Sequence, residues 1–205
     1  MTFIAAFYNF AIELTHSDRG VFESFRVKTP RHETESIEHL YARMIAFCHA
    51  YRPGQEFTQG FADPKEPTIW LRDAVGDVLL WIQVGVPDKR KLELSLKHYP
   101  RAEHRVYFFD KSHAYSFCHS LRGSKTNWIE GVQFYQIQPA LLQELSAHEI
   151  SSPHWNITFV DQRMYLDIDG FNLESEISEV DIWVAFQESL REGEHQPTLS
   201  ESREA

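Results

Sequence analysis

The sequence predicts a mixed α/β fold, and three observations carry that prediction. Apolar residues alternate at the start of the chain, with Ile4, Tyr8, Phe10, Ile12 and Leu14 on one face. Helically spaced segments and strand-length apolar runs then succeed one another through the middle. From Trp155 strict alternation returns, which is the pattern of an antiparallel meander.

Taken in order, the first alternating segment passes through the polar turn His16-Ser17-Asp18-Arg19-Gly20 into Val21, Phe25 and Val27, so an N-terminal β-hairpin is expected. After Pro30, the residues Ile37, Leu40, Tyr41, Met44, Ile45 and Cys48 fall at i, i+3, i+4, i+7, i+8 and i+11. This is an amphipathic helix, with Thr34 or Ser36 available as its N-cap. Residues 51–64 are turn-rich and lead to two strands at about 67–72 and 77–85, joined through Gly76. The second of these is apolar on both faces, as a central strand of a covered sheet must be. A short helix follows Pro87-Asp88 with Leu92, Leu96 and Tyr99 inward, then a strand at 104–109. A helix carrying Ala114, Phe117, Cys118 and Leu121, a strand at 132–137, and a helix at 140–147 behind Pro139 complete the middle. The meander turns at Asp161-Gln162 and Asp169-Gly170. Beyond about Gln187 the chain is polar, so a single domain is expected over 1–186 with a disordered tail over 187–205.

Composition narrows the function classes. The formal net charge of −10 opposes non-specific adhesion to phosphate backbones and to anionic membranes, so any nucleic-acid contact needs a local basic patch. The two cysteines, Cys48 and Cys118, lie on the apolar faces of predicted helices and read as buried thiols. The N-terminus lacks the pattern of a secretory signal, and no stretch is long and apolar enough to span a bilayer. The expected location is therefore the cytoplasm, without a membrane partner. Eleven histidines are present, but His32, His39 and His49 do not pair at i, i+4, and no His-Glu-x-x-His or Cys-x-x-Cys occurs. Scattered surface or capping histidines are the expectation. Gly123-Ser124-Lys125-Thr126 resembles the end of a phosphate loop, yet it lacks the upstream glycine and follows a helix, which suits a glycine helix terminus better. Trp70 and Trp81 read as core residues.

The most specific local signals are Arg43-Met44-Ile45-Ala46-Phe47 after Thr34, then Glu56-Phe57-Thr58-Gln59-Gly60, then Glu66-Pro67-Thr68-Ile69-Trp70. After Gly76 comes Leu80-Trp81-Ile82-Gln83-Val84-Gly85-Val86-Pro87-Asp88. In order and spacing these resemble the YaeQ family of bacterial proteins over most of residues 3–180. The resemblance implies a variant of the restriction-endonuclease-like fold of the PD-(D/E)xK superfamily, with core order αβββαβ. It also implies Glu-Pro-Asp and Glu-x-Gly on the two site strands, with a basic residue of the next helix replacing the usual lysine. The matching basic positions here are Arg90 and Lys91.

This chain departs from that pattern where metal would bind. Thr68 stands at the aspartate position and Gln83 at the glutamate position. Mg²⁺ prefers hard anionic oxygens, and neutral hydroxyl and amide oxygens are poor replacements. Glu66 shares the face of Thr68 about 7 Å away and is a candidate rescue. Asp77 lies about 20 Å from Gln83 along the strand, and Asp73 has the wrong parity. Glu38, on the first helix, is a candidate third carboxylate. The candidate remnant site is thus Glu38, Glu66, Thr68, Gln83, Arg90 and Lys91, with no cofactor expected.

Three functional readings follow. The first is a nuclease-fold protein with a degenerate metal site that binds nucleic acid or a protein partner. The alternative is a Mg²⁺-dependent phosphodiesterase using Glu66, Glu38 and a basic residue among Lys89, Arg90 and Lys91. A protein-interaction scaffold without nucleic-acid contact is the third, favoured by the acidic total.

Overall fold

Gly20 takes φ 62°, a left-handed conformation that costs little only in glycine, and so reverses the chain between β1 (Ala6–His16) and β2 (Val21–Arg31). The two strands then pair antiparallel along their full length, from Ala6 opposite Arg31 to His16 opposite Val21. The computed structural model describes residues 6–58 and 66–194. After the hairpin come α1 (Ile37–His49), β3 (Glu56–Phe57), β4 (Ile69–Arg72), β5 (Val78–Val84), α2 (Lys89–His98) and β6 (Glu103–Phe108). Then follow α3 (Lys111–Leu121), β7 (Val132–Ile137), α4 (Pro139–Ala147), β8 (His154–Val160), β9 (Arg163–Ile168), β10 (Phe171–Glu179) and α5 (Ile182–Glu194).

The described strands form one sheet in the order β2-β1-β8-β9-β10-β7-β6-β5-β4-β3. Hairpin and meander, distant in sequence, are joined by parallel pairing of β1 with β8, and β5, β6 and β7 form a parallel set. The sheet curls around α1. Residues 40–48 of that helix are all buried, so the amphipathic helix read from the sequence is enclosed on every side. Inward side chains of β1 (Phe10, Ile12), β5 (Leu80, Ile82), β8 (Trp155, Ile157) and β9 (Leu166) meet it in one cluster, to which α4 adds Leu141, Leu142 and Leu145. The second face of β5, β6 and β7 presents Trp81, Val106, Phe108 and Phe134 to α2 and α3, forming a separate core. This two-sided cover explains why β5 is apolar on both faces.

The expected tail requires correction. Residues 182–194 form α5, so the polar segment begins beyond it, and 195–205 lie outside the described residues. Asp181 starts the helix by accepting N–H bonds from Trp183 (2.9 Å) and Val184 (3.1 Å), while Ile182, Ala185 and Phe186 pack on the outer core. Those three residues and the buried Ser189 repeat at i, i+3, i+4 and i+7, a helical stripe partly masked by the surrounding charges.

Both cysteines are free and buried, and burial pushes the Cys118 thiol up to about 11. Trp81 is a core residue, whereas Trp70 is half-buried and donates to Glu56 at 2.9 Å. Gly123 follows α3 with φ 71°, as a helix terminus requires. No helix among the described residues is long and apolar enough to cross a membrane.

Two histidines depart from the surface expectation. His16 is only 5% exposed inside the curl, its ring 5.3 Å from that of Phe159, and His104 is 1% exposed on the outer face of β6, its ring 5.5 Å from that of Trp81. His49, at the C-terminal end of α1, has its ring 5.8 Å from that of His16 and its Nδ1 2.8 Å from the Tyr107 hydroxyl. Burial, reinforced by the Arg105 guanidinium, lowers His49 to about 3. That lies below the unfolded value of about 6.5. The unfolded chain therefore takes up the proton first, so the stabilisation is complete above about pH 6.5 and is lost as pH falls towards 3. His49→Gln is expected to flatten the pH dependence of urea unfolding between pH 6.5 and 4.5 by up to about 1.4 kcal/mol per pH unit. An unchanged slope would show that His49 titrates normally in the fold.

Candidate functional site

The end of β5 is where the site strands converge, and glycine sets its geometry. Gly85 adopts φ 89°, and an added Cβ would also meet the Phe109 ring at 3.4 Å. A lysine would be strained at this position. The basic group near this strand end comes instead from α2. Asp88 caps that helix by accepting the Lys91 N–H at 2.8 Å, which turns the first helical turn back over the strand end. The Lys91 Nζ then reaches the Gln83 Oε1 at 3.1 Å.

Opposite Gln83 stands Thr68. Pairing of Ile69 with Ile82 and of Trp70 with Trp81 carries the register onward so that Thr68 faces Gln83 across the two strands. The Thr68 N–H donates to the Ile82 carbonyl at 2.8 Å, and its hydroxyl oxygen accepts from the Val84 N–H at 3.1 Å. Gln83 donates its own Nε2 to the Val84 carbonyl at 3.2 Å. Both polar side chains are thus tied into the strand pair.

Together they line a pocket of about 240 Å³ with Glu66, Pro67, Thr58, Lys91 and, from α1, His39 and Arg43. Four of the candidate residues, Glu66, Thr68, Gln83 and Lys91, are therefore brought together. Glu38 and Arg90 are not among the described lining residues. Glu38 lies on α1 away from the pocket, whereas exposed Arg90 borders a separate groove along α2 with Leu94, His98 and Tyr99. Lys89 turns to α3, where its Nζ donates to the Ser124 hydroxyl at 2.7 Å.

The buried carboxylate beside the pocket is Glu35. Its side chain has no exposure; Arg43 grips it through Nε (2.6 Å) and Nη2 (2.9 Å), and His39 Nδ1 lies 2.7 Å away. Burial pushes Glu35 upward, but the His39 hydrogen bond and the Arg43 charge outweigh it and hold the carboxyl below the ordinary range. Arg43 also donates to the Pro30 carbonyl (3.1 Å) and lies over the Phe57 ring (5.3 Å), so one guanidinium ties together α1, β2 and β3. Glu35, His39, Arg43 and Thr58 are not among the candidates that the sequence singles out for the site. A signal exists: His39 and Arg43 fall one turn apart on the same face of α1, and Glu35 precedes them by the same interval, just before the N-cap.

Among the described lining residues the donor set does not suit a divalent cation. Thr68 already accepts an N–H, the Gln83 oxygen faces an ammonium, and Glu66 is the one carboxylate among the described lining residues. Among the described residues no group of three or more His, Cys, Asp or Glu side chains is placed to hold a metal ion. A tethered lysine ammonium beside a hydroxyl and an amide is instead an arrangement that receives an anionic oxygen. Asp73 and Asp77 sit at the far end of β4 and β5, where the Asp73 carboxylate caps the turn by accepting from Val75 and Asp77 N–H groups.

Fold and pocket together define a mixed α/β protein whose curled sheet surrounds one helix, with a polar pocket between two site strands and the starts of α1 and α2. The YaeQ protein family matches residues 1–177, and the chain belongs to that family. It is 25% identical over 174 residues to the uncharacterized protein YaeQ of Escherichia coli (strain K12), covering 85% of this chain and 94% of that one. It is 24% identical over 178 residues to the uncharacterized protein YaeQ of Salmonella typhi, covering 87% and 97%. The crystal structure of YaeQ protein from Pseudomonas syringae superposes with a TM-score of 0.73 at 23% identity, covering 86% of this chain and 96% of that one. For YaeQ protein from Xanthomonas axonopodis pv. citri the TM-score is 0.77 at 19% identity, with 86% and 98% covered. These likenesses establish the shared fold.

Proposed function

We propose that the chain is a nuclease-fold binding protein of the PD-(D/E)xK type, in which a lysine-centred anion site has replaced the metal site and receives a phosphate of nucleic acid. From α1 to β6 the elements run helix, strand, strand, strand, helix, strand, in keeping with that superfamily core. The observation that carries the reading is the 3.1 Å contact of Lys91 Nζ with Gln83 Oε1. In this reading the ammonium stands where two strand carboxylates would hold a cation in the superfamily. Among the described residues Lys91, Arg43 and Glu66 line the pocket and Glu35 pairs with Arg43, so the local balance is near neutral, against a chain total of −10. A pocket of about 240 Å³ takes one phosphate group and not a run of backbone.

Fluorescence anisotropy with single-stranded and duplex oligonucleotides, with and without a terminal phosphate, tests this. Binding is expected with a shallow salt dependence, near one phosphate contact, or a slope of about −0.7 to −0.9 in log K against log salt. Lys91→Gln is expected to remove most of that slope. Absence of binding, or binding indifferent to Lys91→Gln, would overturn the reading in favour of a scaffold that touches no nucleic acid. The presence of Glu66 in the pocket favours a second reading, a Mg²⁺-dependent phosphodiesterase. Metal-dependent cleavage of DNA or RNA that vanishes in Glu66→Gln would establish it.

A further inference from the structure

The curled sheet does not close on itself among the described residues. Its two ends are β2 and β3, and both line the same groove of about 410 Å³. Phe25, Arg26, Val27 and Lys28 come from β2, Glu56 and Phe57 from β3, while Phe47 and Tyr51 form the floor. The floor and walls are aromatic: the Phe25 and Tyr51 rings stack at 4.7 Å, and those of Phe47 and Phe57 at 4.8 Å. Along β2, Phe25 and Val27 face this floor and Arg26 and Lys28 face solvent. Among the described residues no strand pairs with the outer edge of β2, which therefore offers backbone donors and acceptors for about 10 Å along the groove.

The geometry points to this seam as a docking site for an extended acidic peptide that adds a strand to β2. An added strand would place alternate side chains over the aromatic floor and the others beside Arg26 and Lys28, so the fitting sequence alternates apolar with acidic residues. A second copy of this chain fits poorly. Antiparallel pairing of two β2 edges centred on Val27 would set Arg26 of each against Lys28 of the other, and like charges directly opposite destabilise a ladder. Pro30 also removes an edge donor. Glu56, the acidic residue of the groove, is already held by Arg72 at 2.7 Å, which leaves the basic edge to set the local sign. At physiological ionic strength screening acts over about 8 Å, so this local patch outweighs the distant acidic surface. Basic residues and proline also guard strand edges against mutual pairing, but guarding alone leaves the aromatic groove unexplained.

A fluorescein-labelled nine-residue peptide of alternating glutamate and valine, with one central phenylalanine, is the probe. Anisotropy at 0.15 M salt is expected to show saturable binding to the full chain. The double variant Arg26→Glu with Lys28→Glu should weaken it at least about tenfold, and N-methylation of alternate peptide amides on the pairing edge should do the same. The first variant alters exposed side chains, and circular dichroism checks its fold. The inference is overturned if no binding occurs, or if the N-methylated peptide binds as well as its parent. It is equally overturned if amide protection of β2 rises with protein concentration, which would assign the edge to a second copy.

Discussion

Replacing Arg43 with alanine is expected to lower stability by about 3–5 kcal/mol, because it leaves the Glu35 carboxylate buried without its main partner. For a chain of this size that corresponds to a fall in Tm of roughly 6–20 °C. The expectation rests on burial as much as on contact. Glu35 has no side-chain exposure and Arg43 only 5%, and two charge-assisted bonds join them. Loss of the guanidinium also frees the Pro30 carbonyl and the Phe57 ring, loosening β2 and β3 from α1 at the mouth of the candidate pocket. The double change Glu35→Gln with Arg43→Met should recover much of the loss, since no uncompensated charge remains. Acid should act like the alanine variant. Glu35 is held below its unfolded value, so its contribution is present above the ordinary carboxylate pKa and is lost as pH falls through the depressed one. A loss under about 1 kcal/mol by denaturant unfolding would place the pair among solvated surface bridges.

A second large effect is expected from placing two carboxylates in the pocket. The double change Thr68→Asp with Gln83→Glu sets two carboxylates at facing positions, one just before β4 and one on β5, where mutual repulsion raises one of their pKa values unless a cation sits between them. The structure adds that Lys91 is already beside position 83 and would act as an internal counter-cation. Calorimetric Mn²⁺ or Mg²⁺ binding is therefore expected to be weak in the double variant. When Lys91→Ala is added it should be at least about tenfold tighter, or about 1.4 kcal/mol. If the triple variant, with its fold intact, binds no more metal than the parent chain, the pocket is not a metal site lacking only two carboxylates.

Much of this pocket was legible in the residue order because strand motifs are local. Thr68 and Gln83 interrupt apolar strand segments at defined offsets from Pro67 and Gly85, and a ladder with period two sends both to one face. Lys91 is a different case. Lys89, Arg90 and Lys91 are chemically alike and point about 100° apart around α2, so which one meets the strand end depends on how the Asp88 cap seats the helix. Residue order points to Glu38 as the carboxylate that α1 offers, yet Glu35, just before the N-cap, is the one that the fold buries against Arg43.

Residue order alone accounts for the elements: the hairpin around Gly20, the capped helix α1, the two-sided apolar strand β5, and neutral polar side chains at positions 68 and 83. These depend on turn stereochemistry, hydrophobic period and residue identity, all of which act within a few residues. Only the tertiary structure decided that the hairpin and the meander join through β1 and β8, that the sheet curls around α1, and that β2 comes to lie beside β3. It also turned a polar-looking C-terminal stretch into α5, because the outer core offered Ile182, Ala185 and Phe186 a surface to cover. Such contacts join segments far apart in the chain, as Ala11 with His154. Their free energy comes from burial shared between both partners, which neither segment's own pattern contains.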